Sequence, residues 1–318
     1  MNDRSESLYV FGPVPSRRLG RSLGINNIPP KACSYSCVYC QLGRTINLQV
    51  RRRAFYRPQA VSEAVQQRVE WLRQKGECVD YLTFVPDGEP TLDSNLGREV
   101  EMLRPLGVPT AVISNGSLVW RDDVRQDLAG MDWVSLKIDS TREEIWKKVD
   151  RPHGSLGLAR ILEGMQAFAE SFPGKLVTET MLVQGLNDDP RHLEELARFL
   201  AKLNPAASYL AVPTRPPAEA WVAPPNEESL QRAYQIFREH VGQVEFLIGY
   251  EGNAFSATGD TEQDLLSITA VHPMREDAVE ALLRREGDEW RTVRRLLEEG
   301  TLVRSTYEGM SFYMRRLR

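Results

Sequence analysis

The chain has 318 residues, of which 42% are apolar and 26% are charged, and its formal net charge is −4. This composition is typical of a globular protein with a large core, and it provides no overall positive charge that would indicate binding to nucleic acid or to a membrane surface. The first residues lack the apolar run of a signal peptide and no segment reaches membrane-spanning length, so we expect a cytoplasmic protein without a membrane partner.

Segments typical of β-strands alternate with segments of helical periodicity from about residue 20 to about residue 250. The strand-like runs are RSLGINN, YLTFVPDGEP, PTAVISNGS, DWVSLKIDS, LVTETMLVQG, SYLAVPT and VEFLIGY. Helix-like runs such as SEAVQQRVEWLRQ and HLEELARFLAKL lie between them. Repeated units of this kind predict a parallel sheet with crossover helices.

One of these strand-like runs, WVSLKIDS, alternates between apolar and polar residues. Its apolar residues are Val134, Leu136 and Ile138, and its polar residues are Ser135, Lys137 and Asp139. Parallel strands that are buried on both faces are usually apolar throughout. We therefore predict that the polar face lines a cavity inside a closed or partly closed barrel, with the apolar face under the helices. A half-exposed sheet face is the alternative.

The composition changes after residue 254. The segment EGNAFSATGDTEQ is typical of a linker, and DLLSITAV, REDAVEALLRR and EWRTVRRLLEEG follow as three helix-like runs. The last run, TLVRSTYEGMSFYMRRL, predicts a hairpin that turns near Glu308 and Gly309. These elements predict a winged helix-turn-helix. We assign residues 1–254 to the barrel, with an N-terminal extension at 1–19, and residues 255–318 to the linker and a winged-helix-like domain.

Three of the four cysteines, Cys33, Cys37 and Cys40, lie in one short loop with the spacing C-x3-C-x2-C. A structural zinc site needs a fourth ligand, normally Cys or His at short spacing, and the sequence offers none nearby. A 4Fe–4S cluster held by three thiolates instead leaves one iron open for a substrate or cofactor. We favour the cluster. The alternatives are zinc with a distant fourth ligand and three buried cysteines without metal, although the polar loop SYSCVYCQ argues against the latter.

The same loop, with Tyr39 before its last cysteine, resembles the cluster-binding loop of the radical S-adenosylmethionine (radical SAM) superfamily. The resemblance implies a partial (β/α)6 barrel of TIM type, a 4Fe–4S cluster on the three cysteines, and S-adenosylmethionine (SAM) chelated to the open iron. It also implies a reductant such as flavodoxin or ferredoxin. Its electron would cleave SAM to methionine and a 5′-deoxyadenosyl radical that abstracts a substrate hydrogen.

Motifs at the second and third strand ends extend this resemblance. DGEPTL is similar to the superfamily's GGEP motif, with Asp87 in place of the first glycine. The motif implies that Gly88 and Glu89 approach the methionine amino group, which needs acceptors when it is buried. ISNGS at the third strand end implies that Ser114 and Asn115 reach the ribose and the carboxylate. Taken singly, both motifs are also common turn signals.

Later strand ends carry the remaining residues that the resemblance assigns to SAM. In SLKIDS, Ser135 is expected to bind ribose and Lys137 to neutralise the carboxylate, although a structural ion pair is the alternative for Lys137. Gly185 in LVQGLND is expected to let the backbone approach the adenosine. Val212 in LAVP and Tyr39 are expected beside the adenine.

The segment FGPVPSRRLGRSLGINNIPPKACSYSCVYCQLGRT resembles a narrower, wyosine-synthase-related group of the superfamily. Confirmed wyosine synthases modify a tRNA base and carry further cysteines upstream of the first strand, whereas no cysteine precedes Cys33 here. This departure argues against the wyosine reaction. We expect a radical SAM enzyme of unknown substrate, with RNA or tRNA modification as one candidate. The alternatives are a glycyl-radical-type protein activase and an iron–sulfur-sensing winged-helix regulator, but a regulator leaves the motifs at Glu89, Asn115 and Lys137 unexplained.

The substrate side carries weaker signals, and no catalytic residue can be singled out there. Arginines near the barrel entry and in PTRPP are candidates to meet an anionic substrate, or are ordinary surface residues: Arg17, Arg18, Arg21 and Arg215. The C-terminal domain is a candidate to bind an RNA or protein substrate, or to cap the barrel mouth. Cys78, just before the second strand, is expected to be a small buried apolar residue.

Overall fold

The computed structural model describes residues 9–248, 260–271 and 273–316. The predicted domain boundary at residues 254 and 255 and most of the predicted linker lie outside these residues. Within the described ranges, no helix is both long and apolar enough to cross a membrane.

An eight-stranded sheet forms the main body of the protein. The strands of the main body are β1 (Val10–Ser16), β2 (Gly20–Ile25), β3 (Ala32–Cys33), β4 (Asn47–Leu48), β5 (Tyr81–Phe84), β6 (Thr110–Ser114), β7 (Trp133–Lys137), β8 (Lys175–Met181), β9 (Ala207–Ala211) and β10 (Val244–Leu247). The sheet order is β1-β2-β5-β6-β7-β8-β9-β10, and β3 and β4 form a separate two-stranded sheet. β1 is antiparallel to β2, whereas the pairs from β2 to β10 are parallel. The described sheet thus has seven parallel strands, which match the seven strand-like runs of the sequence and are one more than the six that the family resemblance implies.

Helices cover one face of this sheet, as the alternating sequence pattern predicts. They span Pro58–Gln74, Leu96–Leu103, Asp122–Ala129, Glu143–Val149, Leu158–Ser171, Pro190–Leu203 and Glu227–His240, with short 3-10 turns at Pro90–Leu92 and Arg104–Leu106. Local signals fix several helix starts. Asp189 caps the backbone N–H groups of Arg191 and His192, and Pro190 occupies the first turn, where no intrahelical donor is needed.

The two faces of the sheet have different roles. Val134 and Leu136 pack in the large core under the helices, whereas Trp133 packs with Leu19 and Tyr209 in a smaller cluster on the opposite, concave face. This difference confirms the prediction from the alternation in WVSLKIDS. Beyond the sheet edges, the Nη1 of Arg17 donates to the carbonyl oxygen of Ile248 at 2.8 Å. Because these residues follow β1 and β10, the sheet curls, and the predicted partial barrel is confirmed.

The C-terminal part has its own core. Its helices span Thr261–Val271, Glu276–Glu286 and Trp290–Glu298, and its strands are β11 (Met274–Arg275), β12 (Leu302–Tyr307) and β13 (Met310–Arg315), in the order β11-β13-β12. The hairpin β12–β13 turns at Glu308 and Gly309, which have φ angles of 47° and 74°. The predicted three helices and terminal hairpin are therefore present. Val14 of β1 packs against this second core.

The segment before β5 lies at the surface. Arg21 forms an ion pair with Glu77, and its backbone N–H donates to Asp80 at 2.7 Å. Cys78 between these carboxylates is exposed, so the prediction that it is buried was wrong. The reason is that the polar neighbours of Cys78 fasten the segment to the start of β2 and leave its own side chain in solvent.

Candidate active site

Backbone hydrogen bonds fasten the loop with the three cysteines to the turn after β5 and to the end of the helix Glu143–Val149. Glu89 N–H donates to the carbonyl of Ala32 at 3.0 Å, and Val38 N–H donates to that of Val149 at 2.9 Å. Cys33, Cys37 and Cys40 are each half-buried and free of disulfides. The fold therefore presents three thiols of one loop at the carboxyl ends of parallel strands, where barrel active sites lie.

The donor set fits a 4Fe–4S cluster better than a single zinc ion. Among the described residues, Glu194, Glu239 and His240 place three ligand atoms within 4.8 Å of one another, and the three cysteines do not. Thiolates on one tetrahedral zinc lie about 3.8 Å apart, whereas thiolates on different irons of a cluster stand farther apart. Burial raises the pKa of the Cys33 thiol to about 12, and it also raises the pKa values of the Cys37 and Cys40 thiols. Ligand binding at this site therefore displaces protons.

The turn that contains Gly88 and Glu89 packs directly on the cysteine loop. A Cβ at position 88 would lie 2.0 Å from the carbonyl oxygen of Ala32, so only glycine fits. The buried carboxylate of Glu89 accepts hydrogen bonds from the Thr91 N–H at 3.0 Å, the Thr91 hydroxyl at 2.5 Å, the Ser114 hydroxyl at 2.7 Å and the Asn115 N–H at 2.7 Å. Glu89 thus joins the ends of β5 and β6, and its oxygens are occupied within the protein.

Ser114 and Asn115 continue this network toward the cluster loop. The Asn115 amide donates to the Ser34 hydroxyl at 2.9 Å and contacts the Cys33 sulfur at 3.6 Å. The structure therefore brings Glu89, Ser114 and Asn115 together beside Cys33. Their predicted contacts with SAM stay predictions.

A cavity of about 300 Å³ lies inside the partial barrel. Four predicted site residues line it: Tyr39, Cys40, Lys137 and Val212. Three of the four candidate arginines also line it: Arg17, Arg18 and Arg215. Ser135 lies on the same face of β7 as Lys137, and its buried hydroxyl has no hydrogen-bond partner in the described structure. Ser135 is not among the residues that line the cavity, and its predicted contact with the ribose stays a prediction.

An ion triad that the sequence did not reveal crosses the cavity wall. Glu179 on β8 binds Lys137 Nζ at 2.9 Å and Arg18 Nη1 at 2.6 Å. Burial by itself would raise the pKa of Glu179, but the two cations outweigh it and lower the pKa to about 2. Burial would likewise lower the pKa of Lys137, but Glu179 and Asp139 raise it instead. The ammonium of Lys137 also lies 4.7 Å from the ring centroid of Tyr39. The sequence did contain one sign of this position for Glu179. Alternate residues of a strand face the same side, so Glu179 in LVTETM shares the concave face with Val177.

Two buried carboxyl groups, those of Asp139 and Asp150, lie beside the hydroxyl of Tyr39. This hydroxyl donates to Asp139 and lies 3.2 Å from Asp150, whose carboxylate is 3.4 Å from the Cys37 sulfur. Burial raises the pKa values of both carboxyl groups, and the charge of Asp139 raises that of Asp150 further. Nothing in the sequence near Asp150 indicated that it lies beside Cys37.

Gly185 lies apart from the cavity. It occupies an exposed turn after β8 with a φ of 71°, and no atom lies within 4 Å of its added Cβ position. The left-handed backbone explains the glycine without any ligand. Its predicted role beside the adenosine stays a prediction.

Comparison with known proteins decides the family. Residues 27–200, more than half of the chain, match the model described as the Radical SAM superfamily. The chain belongs to this superfamily. Members are enzymes, and the cofactors of this radical SAM protein are accordingly a 4Fe–4S cluster and SAM.

Sequence relatives and a solved structure agree with this membership. The chain is 47% identical to a UPF0026 protein of Methanocaldococcus jannaschii, over 97% of this chain and 96% of the relative. It is 26% identical to a protein of Protochlamydia amoebophila named "probable dual-specificity RNA methyltransferase RlmN 2", over 53% of this chain and 47% of that one. The structure of TYW1 with a lysine-pyruvate adduct bound is similar with a TM-score of 0.51 at 16% identity, over 76% of this chain and 78% of that one. At this identity the last likeness shows the fold alone.

Proposed function

We propose that this radical SAM enzyme binds its cluster through Cys33, Cys37 and Cys40 and acts on a nucleotide of an RNA. The observation that carries the proposal is the barrel cavity, whose wall joins Cys40 to four cationic side chains and one carboxylate. These charged residues are Arg17, Arg18, Lys137, Arg215 and Glu179. One cavity of about 300 Å³ is therefore lined both by the proposed cluster ligand Cys40 and by a net excess of cationic side chains.

The charge balance of this cavity favours an anionic substrate. Four cations and one carboxylate give the wall three net positive charges. SAM carries one net positive charge, and a cluster on three thiolates carries about one negative charge, so these two nearly cancel. The remaining positive charge is suited to phosphate groups, which arginine binds with two parallel hydrogen bonds. A nucleotide supplies such groups, and the similarity to a protein named for RNA methylation supports RNA as their source.

When bound, the cluster and SAM would supply the radical chemistry of the superfamily, a one-electron reductive cleavage of SAM that yields methionine and a 5′-deoxyadenosyl radical able to take a substrate hydrogen. Our proposal assigns the chain's own residues to positioning. Tyr39 and Val212 flank the adenine, Ser135 binds the ribose, and Lys137 remains near the carboxylate while fixed to Glu179. A low-potential reductant such as flavodoxin or ferredoxin supplies the electron in this proposal.

We further propose that the C-terminal elements form a winged-helix domain that presents the RNA to the barrel. A second cavity, of about 410 Å³, lies between the cluster loop and this part of the chain, and it shares Gln41 and Leu42 with the barrel cavity. Arg315 and Arg316 at the end of β13 line it. The Tyr307 hydroxyl donates to the carbonyl of Pro213 at 3.2 Å, next to the barrel cavity. This contact and the shared residues support a continuous path for a strand of RNA.

The test is anaerobic reconstitution followed by turnover with RNA. The wild-type protein should bind about four irons and, when reduced with SAM present, should release 5′-deoxyadenosine, whereas the triple variant Cys33→Ala/Cys37→Ala/Cys40→Ala should do neither. Addition of total tRNA should produce a new nucleoside by mass spectrometry. Absence of 5′-deoxyadenosine from protein with a full cluster would contradict the catalytic proposal.

The RNA part has its own matched control. Arg315→Ala/Arg316→Ala should weaken tRNA binding and lower its salt dependence, because about two phosphate contacts are lost. Arg198→Ala/Arg232→Ala removes two exposed arginines from helices on the barrel and should leave both unchanged. Release of 5′-deoxyadenosine without tRNA binding or a new nucleoside would instead favour a protein substrate.

A further inference from the structure

Lys31 and Asp87 are oppositely charged side chains that are both buried and both unpartnered. Their exposed fractions are 7% and 4%. In the described structure, neither the ammonium of Lys31 nor either carboxylate oxygen of Asp87 has a hydrogen-bond partner. An isolated charge in a protein interior is strongly unfavourable unless it is paired. The pair therefore indicates a ligand whose own charges complete the site.

The backbone places these two side chains together at the base of the cluster loop. Lys31 N–H donates to the Asp87 carbonyl at 2.7 Å, and Ala32 forms a bridge with Gly88 one residue further on. Lys31 also has a φ of 61°, a left-handed conformation that is uncommon for a side-chain-bearing residue. A strained backbone at a buried lysine is typical of a position kept for binding or catalysis.

The side chain of Lys31 lies near the last cysteine of the loop. Its ammonium is 3.6 Å from the position of a Cβ at Gly43, and the Gly43 N–H donates to the carbonyl oxygen of Cys40 at 3.0 Å. Lys31 lines the 410 Å³ cavity together with Gln41 and Leu42, which also line the barrel cavity beside Cys40. Lys31 thus lies near Cys40 at the junction of the two cavities, and the backbone hydrogen bond between Lys31 and Asp87 keeps the opposite charge close by.

Other charged residues near the loop are already occupied. The carboxylate of Glu89 accepts four hydrogen bonds from the protein, and Lys137 is fixed to Glu179. Neither presents an unused charged atom comparable to those of Lys31 and Asp87. A zwitterionic ligand near Cys40 could therefore place its cationic group at Asp87 and its anionic group at Lys31.

We propose that Asp87 and Lys31 are positioning residues for the amino-acid end of SAM. Asp87 accepts hydrogen bonds from its α-ammonium, and Lys31 donates to its α-carboxylate. The inference rests on the proposed function, because it requires SAM at this cluster. It assigns a side chain to the position where the similar GGEP motif has a glycine, and it gives the buried carboxylate of Asp87 a hydrogen-bonding partner.

The test compares two forms of the cofactor in one protein. Decarboxylated SAM keeps the ammonium but lacks the carboxylate that Lys31 binds. We expect the wild-type protein with its cluster to prefer SAM, and Lys31→Met to lose that preference by about tenfold or more, with little change for decarboxylated SAM. Asp87→Asn should weaken both ligands, since both retain the ammonium. Equilibrium dialysis under anaerobic conditions measures the six affinities, those of the three proteins for the two ligands, without turnover.

Controls separate this inference from folding, cluster loading and the proposed function. The iron content of each sample gives its concentration of cluster-loaded sites. Lys31→Arg should restore the preference for SAM. Lys202→Met and Asp122→Asn change exposed residues and should bind both ligands as the wild type does. An unchanged preference in Lys31→Met, in a wild-type background that binds SAM and releases 5′-deoxyadenosine, would overturn the inference and leave the function intact. Failure of the wild-type protein to bind SAM would overturn the proposed function itself.

Discussion

Two groups of buried charges near the barrel cavity differ in how their charges are compensated. In the cavity wall, Glu179 binds Lys137 at 2.9 Å and Arg18 at 2.6 Å. At the base of the cluster loop, Lys31 and Asp87 have no hydrogen-bond partner for their charged atoms within the described residues. The pKa values follow this difference. That of Glu179 falls to about 2 despite burial, whereas burial dominates at Asp87 and raises its pKa to about 7.

The comparison separates charges that support the fold from charges that await a ligand. Both carboxylates lie in the same interior, so the distance to a cation, rather than burial, decides whether the ionised form is favourable. A compensated group contributes to stability before any cofactor binds. An uncompensated group costs stability until the ligand arrives, and its contribution appears as binding affinity. Stability measurements on the cofactor-free protein therefore distinguish the two.

The largest expected effect is that of Glu179→Gln, which leaves two buried cations without their carboxylate. We expect a loss of about 3–5 kcal/mol in the free energy of unfolding at pH 7, measured by urea denaturation. Because the folded pKa of about 2 lies below the ordinary value of 4.5, the stabilisation by Glu179 is present above pH 4.5 and is lost as the pH falls toward 2. The variant should lack this acid dependence.

Glu195→Gln is the matched control for that variant, because Glu195 pairs with Arg142 at the surface. Its unfolding should be nearly unchanged, since exposed ion pairs are screened by solvent. Equal losses in the two variants would show that the triad is no more important to the fold than a surface pair.

A smaller effect is expected at Glu99, whose buried carboxyl group forms no ion pair with the described residues. Neither of its oxygens has a hydrogen-bond partner in the described structure. Burial, and then Asp93, raise its pKa from 4.5 to about 9. A raised pKa contributes stability at low pH that is lost as the pH rises through the folded value. Between pH 7 and pH 9 the wild-type protein should therefore lose about 1–2 kcal/mol more than Glu99→Gln, by urea denaturation at each pH. Parallel pH profiles for the two proteins would refute this assignment.

The smallest effect is expected for Asp87→Asn in the cofactor-free protein. Its folded pKa of about 7 lies above the ordinary 3.8, so the wild type loses stability as the pH rises through 7 and the variant does not. At pH 8 the variant should be as stable as the wild type, or more stable by up to about 1 kcal/mol. A loss comparable to that in Glu179→Gln would mean that Asp87 has a partner within the protein, and it would remove the contrast between the two groups.

The sequence by itself determined features that depend on local spacing. The C-x3-C-x2-C loop gathers three thiols within eight residues, so their proximity needs no tertiary information. Alternation in WVSLKIDS has the period of a strand, and it correctly assigned Lys137 to the cavity face and Val134 to the helix-covered face. The motif DGEPTL also singled out Gly88. The structure shows why a glycine is needed there, because a Cβ would collide with the carbonyl oxygen of Ala32.

Only the tertiary structure decided which charges meet and which remain unpaired. Arg18 and Glu179 are separated by 161 positions, and the curl of the sheet brings them together. Glu89 had a motif, but its occupation by Thr91, Ser114 and Asn115 became visible only when the ends of β5 and β6 were side by side. Burial and partner choice are properties of the packed chain, because each depends on residues from several strands at once. For that reason the sequence could predict the loop of three cysteines as the cofactor site, whereas the unpaired charges of Lys31 and Asp87 became visible only in the fold.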